Sequence, residues 1–80
     1  MFVVQNITMI YENEKLQYFG KNIAKFRKAK KLTQNQLADI LDISREHLAK
    51  IETAKRGVSI NLLFRLSEAL DVSEKDFFEF

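Results

Sequence analysis

The chain has no cysteine, proline or tryptophan among its 80 residues, only two glycines, and a single histidine. Without cysteine there is no disulfide framework, no thiol nucleophile and no cysteine-ligated zinc. One histidine, His47, excludes a histidine-rich metal site. No apolar run approaches the roughly 20 residues that a membrane helix needs, so no membrane partner is expected. The apolar start, Met1-Phe2-Val3-Val4, lacks the leading basic segment and the small-residue cleavage site of a secretory leader. With the missing cysteine, this gives the expectation of a cytoplasmic protein. No nucleophile, base and metal-ligand set converges in the pattern, so an enzyme, a cofactor or a small-molecule ligand is not expected. The scarcity of glycine and the absence of proline favour helices joined by short turns. A hydrophobic share of 46% is that of a folded chain, not a disordered one.

Charge is present and unevenly placed. Residues 1–14 carry a net −2, residues 15–56 a net +7, and residues 57–80 a net −3, leaving +2 for the whole chain. A basic stretch beside an acidic remainder is the footprint of a nucleic-acid binder. The same lysines, Lys15 to Lys31, also fit a solvated helix face, and charge alone does not choose.

Residues 1–11, MFVVQNITMIY, are rich in β-branched and aromatic types, and read as a short strand or an apolar arm. A single strand would need a second subunit to pair with. The main domain is read as residues 12–80. From Glu12 to Lys31, Leu16, Phe19, Ile23 and Phe26 recur at helical steps. Gly20 interrupts them and permits close packing. Thr33 with Gln36 makes a capping box, followed by Leu37, Ala38, Ile40 and Leu41 as an apolar face. Asp42 is a residue type that tolerates a left-handed turn. Ser44 caps the next helix, 44–54, whose buried face is Leu48 and Ile51. Lys55 to Val58 form a loop. Ser59 caps a fourth helix with Leu62, Leu63, Leu66 and Leu70 inward. Ser73 caps a fifth, short helix that ends in Phe77-Phe78-Glu79-Phe80. The expected fold is all-α, a compact five-helix domain.

Gln34–Thr53 has the parts of a helix-turn-helix. Ala38 is the small residue where the second helix crosses the first. Asp42 makes the sharp turn four residues on. Leu37, Leu41, Ile43, Leu48 and Ile51 lock the pair to the core, which frees one face of the second helix for a major groove about 12 Å wide.

On FGKNIAKFRKAKKLTQNQLADILDIS, the following IE and the SINLLFRLSEALDVS run, the sequence resembles the Cro/repressor-type, or xenobiotic-response-element-like, helix-turn-helix regulators. The resemblance spans about residues 16–78. It implies a λ-repressor-like five-helix domain that binds operator double-stranded DNA as a homodimer and regulates transcription, as repressor or autoregulator. Two other readings stay open: an antitoxin component, and a protein-interaction module that keeps the fold. Phage regulators and restriction–modification controllers share the pattern. The sequence departs from the family where Asp42 and Ala54 stand at positions often held by glycine, and Val58 where proline is frequent.

The resemblance places base readout on Arg45, Glu46, Ala49 and Lys50. Arg45 and Lys50 suit guanine O6 and N7, and Glu46 suits cytosine N4. Glu46 could instead orient Arg45 or repel phosphate. Backbone contacts fall on Gln34, Ser44, His47, Thr53, Lys55 and Arg56, with His47 either at the groove wall or packed on the preceding helix. Arg27 and Glu52 match a structural ion pair between the first and third helices. Phe77, Phe78 and Phe80 cannot all turn inward on one short helix, so they are assigned to a dimer interface, with the N-terminal arm as a further contributor; the alternative is that one or two of them, Phe77 or Phe78 in part, complete the monomer core.

Overall fold

A sequence with two glycines must end its helices without them, and the computed structural model shows how. It describes residues 2–80, with side chains from Glu14 onward. Four α-helices follow in order: α1 (Phe2–Ala29), α2 (Gln34–Leu41), α3 (Arg45–Glu52) and α4 (Ile60–Leu70). A 3-10 helix, Glu74–Phe78, closes the chain.

Each of the four helices is stopped by a non-glycine residue in left-handed conformation: Lys31, Asp42, Ala54 and Asp71, with φ between 56° and 64°. Just beyond each, the next amide reaches back five residues. Leu32 N–H donates to the Arg27 carbonyl, Ile43 to Ala38, Lys55 to Lys50, and Val72 to Ser67. This is the Schellman closure, which satisfies carbonyls the helix leaves open. Leu32, Ile43 and Val72 then fold onto the core as the hydrophobic residue that accompanies such a cap. Neither glycine has a positive φ.

The helix starts are side-chain caps. Thr33 Oγ1 accepts from Gln36 N–H while Gln36 Oε1 accepts from Thr33 N–H. Ser44 Oγ accepts from His47 N–H, and Ser59 Oγ from Leu62 N–H. Ser73 N–H donates to Asp76 Oδ2 at the start of the 3-10 helix.

The core is built from Phe19 and Ile23 of α1, Leu37, Ala38 and Leu41 of α2, Leu48 and Ile51 of α3, Leu62, Leu63, Leu66 and Leu70 of α4, and Phe77. Each large aliphatic side chain buried this way contributes about 1.5–3 kcal/mol. α2 and α3 pack on each other, α3 also on α1, and α2 on α4. Gly20 is buried at the α1–α3 crossing.

Four expectations are corrected. The chain from Phe2 to Tyr11 is helical and continuous with α1, not a strand. A helix closes its own backbone hydrogen bonds, whereas a lone strand cannot. A role for residues 1–11 as an arm depends on side chains that lie outside the described residues. The fifth helix is 3-10: five residues are too few for a stable α-helical turn set, and the tighter form serves short pieces. Ile40, assigned to the buried face of α2, is 55% exposed. The buried face of α2 is instead Leu37, Ala38 and Leu41, and Ile40 flanks that face without a covering neighbour. Finally, Phe77 is fully buried. It meets Phe19 and Phe26 edge-on, with ring centroids 6.0 and 5.6 Å away, so it serves the core and has no surface to offer a partner.

Candidate nucleic-acid interface

α3 is short, and its two faces differ sharply. Leu48, Ile51 and Glu52 are buried, while Arg45, Glu46 and Lys50 are exposed and Ala49 is half-buried. The exposed set lies on one side of the helix because positions i, i+1, i+4 and i+5 share a face. The left-handed Asp42 turns the chain between α2 and α3, with its N–H donating back to the last turn of α2. Arg65 of α4 donates from Nη2 to the Leu41 carbonyl, one residue before that turn. A cation there satisfies an open carbonyl and complements the negative end of the α2 dipole.

A chain of hydrogen bonds runs from the interior to the exposed face. Arg27 Nε donates to Glu52 Oε2 at 2.7 Å, and Arg27 Nη2 to Glu52 Oε1 at 3.1 Å. This two-pronged pair is buried. The remaining guanidinium nitrogen, Nη1, donates to the Leu32 carbonyl at 2.9 Å. Glu52 Oε1 also accepts from Gln34 Nε2 at 3.0 Å, and Gln34 Oε1 accepts a longer bond, 3.4 Å, from Arg45 Nη1. A planar guanidinium matched to a carboxylate is well ordered. The order is therefore passed outward to Gln34 and reaches Arg45. All four are candidate site residues from the sequence, but Gln34 and Glu52 are 18 residues apart and nothing in their spacing couples them.

The remaining assigned residues surround α3. Ser44 and Thr53 are its N- and C-caps, and the Thr53 hydroxyl donates to the Ala49 carbonyl at 2.8 Å. Lys55 and Arg56 are exposed in the loop that follows. His47 is half-buried, and its pKa lies below the ordinary histidine value. Desolvation is the main cause, reinforced by the positive charges of Arg56 and Lys50. His47 and its cationic neighbours thus gather in one electropositive region beside the exposed face of α3. Among the described residues, no helix is long and apolar enough to cross a membrane.

Two helices joined by a left-handed residue, with the second exposing a charged face, define a helix-turn-helix protein. The helix-turn-helix family profile (HTH_3) matches residues 23–77, and the chain belongs to this family of Cro/repressor-type regulators. That is a class of DNA-binding regulators and not of enzymes. An HTH-type transcriptional regulator from Rickettsia conorii is 39% identical over 62 residues, covering 78% of this chain and 50% of the relative. The chain thus spans about half the length of that relative. The control protein C.BamHI of Bacillus amyloliquefaciens is 33% identical, with 78% of each chain covered. Among solved structures, the restriction–modification controller protein C.AhdI from Aeromonas hydrophila superposes with a TM-score of 0.75 at 32% identity. That match covers 79% of this chain and 96% of C.AhdI.

Proposed function

We propose that the protein is a sequence-specific regulator of transcription that binds operator DNA as a homodimer through α3. The observation that carries this reading is the exposed set Arg45, Glu46 and Lys50 on a helix whose other face is locked into the core. Arg45 and Lys50 read guanine O6 and N7, Glu46 accepts from cytosine N4, and Ala49 meets a thymine methyl. Gln34, Ser44, His47, Thr53, Lys55 and Arg56 hold the phosphate backbone on either side. The dimer forms on the face that carries Phe78 and Phe80, which are 51% and 58% exposed. It sets two α3 helices against half-sites about 34 Å apart on one side of the duplex.

The near-complete coverage of C.AhdI, with the match over 78% of C.BamHI, favours a regulator of controller type, one that represses or tunes its own operon. Such a protein responds to its own concentration through dimerisation and needs no effector pocket.

Selection of bound sequences from a random duplex pool tests the reading. The expected product is a two-fold repeated half-site. Affinity should fall steeply with salt, as lysines and arginines displace counterions from phosphate. Arg45→Ala and Lys50→Ala should each relax preference at one or two base positions and cost about 1–3 kcal/mol there. A uniform loss over all sequences would place these residues on phosphate. Absence of DNA binding at low salt would favour a protein-interaction module that retains the fold.

A further inference from the structure

On the face formed by α1, the start of α4 and the chain's end lies an apolar groove of roughly 520 Å³. Its walls include Leu16 and Phe19 of α1, Ile60 and Leu63 of α4, and Phe78 and Phe80. The groove is held open in advance. Asn22 Nδ2 donates to the carbonyls of Phe77 and Glu79, at 2.8 and 3.1 Å, and so ties the C-terminal wall to α1. Phe78 stacks on Phe19 with centroids 5.2 Å apart, and Phe80 on Tyr18 at 5.5 Å.

We propose that this groove receives the N-terminal segment, residues 2–11, of a second copy of this chain. The proposal rests on the homodimer reading above and specifies how the dimer is made. Residues 2–11 carry seven apolar side chains, Phe2, Val3, Val4, Ile7, Met9, Ile10 and Tyr11, and no charge. The segment precedes the family match, which begins at residue 23. A stretch this apolar needs a cover.

Geometry selects the second copy over the chain's own segment. α1 is one helix from Phe2 to Ala29, and Leu16 in its middle is part of the groove wall. At about 1.5 Å per residue, Phe2 lies some 21 Å along the helix from Leu16. A chain cannot bring its own residues 2–11 back into the groove without breaking α1, whereas a partner's helix can enter antiparallel. Charge agrees with that direction. The segment is followed by Glu12 and Glu14, and Lys15 stands at the groove. An antiparallel pair of α1 helices brings the glutamates of each copy toward the other's Lys15. Because each copy owns one segment and one groove, reciprocal insertion closes a two-fold dimer with no site left over.

The cysteine-free chain makes the test direct. Full-length Val4→Cys and Ile60→Cys proteins are mixed in equal amounts and mildly oxidised, and the disulfide-linked peptides are identified by mass spectrometry. The expected dominant product is the mixed Val4→Cys/Ile60→Cys dimer. In parallel, Val4→Asp/Ile7→Asp should raise the dimer dissociation constant at least ten-fold in sedimentation, with a melting curve that matches the wild type at concentrations where both are monomeric. A dimer that survives this double change at full strength would overturn the proposal while leaving dimerisation intact. So would Ile60→Cys linking mainly to itself. A wild-type protein that stays monomeric at tens of micromolar would remove both the proposal and the homodimer reading.

Discussion

A Cβ placed on Gly20 would stand 2.7 Å from the carbonyl oxygen of Glu52, and 2.6 Å from that of Ile51. α1 therefore touches the last turn of α3 backbone to backbone, at the point where Glu52 also meets Arg27. The opposing atoms are main chain, so no side-chain rotation can make room. Gly20→Ala should destabilise the protein by about 3 kcal/mol or more, at the upper end of overpacking costs, despite alanine's better helix propensity. A thermal melt of the variant checks this. Gly57 is the control: a Cβ there meets nothing within 4 Å, and Gly57→Ala should leave the melt nearly unchanged.

Removing one partner of the buried ion pair should be costly. Glu52→Ala leaves the Arg27 guanidinium buried without its carboxylate, and Gln34 without its acceptor. The expected loss is about 3 kcal/mol or more in chemical denaturation. The double change Arg27→Met/Glu52→Leu, which removes both charges together, should recover most of it. An unchanged melting curve for Glu52→Ala would show that the pair does not fasten α1 to α3.

The left-handed residue after α3 offers a gain. Ala54 has φ 64°, a conformation that costs an L-residue with a Cβ about 1 kcal/mol. Ala54→Gly should raise stability by roughly 0.5–1 kcal/mol, less the extra freedom glycine brings to the unfolded chain. Asp42 has the same geometry at φ 56°, but aspartate tolerates it better, so Asp42→Gly should gain less. Urea denaturation of both variants ranks them.

With His47 on the phosphate backbone, as proposed, the free protein and its DNA complex should respond oppositely to acid. Its folded pKa is below the ordinary value of 6.5, so the unfolded chain binds more protons around that pH. This contribution to stability is present above pH 6.5 and is lost as pH falls through the folded value. Phosphate beside His47 would reverse the shift, since an anion favours the imidazolium. DNA affinity should therefore rise as pH drops from 7.5 to about 6, and His47→Gln should flatten that rise. Binding isotherms at fixed salt across the range check it; an affinity independent of pH in the wild type would take His47 off the phosphate backbone.

The short-range grammar of this chain was open to reading. Thr33, Ser44 and Ser59 cap where a hydroxyl precedes an apolar helical pattern, and their hydrogen bonds span three residues. The Leu37, Leu41, Leu48 and Ile51 scaffold follows from 3.6-residue periodicity, and every one of these is buried. The left-handed Asp42 was legible from residue type. Lys31 and Ala54 share that conformation without advertising it, because the Schellman bonds that impose it depend on where the next apolar residue finds a core.

The sequence by itself determined α2, α3 and α4, the hydroxyl caps at their starts and the charged outer face of α3, all set by interactions within a few residues. Tertiary structure alone decided what lies opposite each of them. It turned Ile40 out and Phe77 in, since a period reports an apolar face but not whether a neighbour covers it. In a 3-10 helix adjacent side chains diverge by about 120°, so Phe78 could not follow Phe77 into the core. It also joined Arg27, Glu52, Gln34 and Arg45 into one hydrogen-bonded chain, because the Arg27–Glu52 pair was brought out of water and had to be satisfied there, with Gln34 linking it to the exposed Arg45.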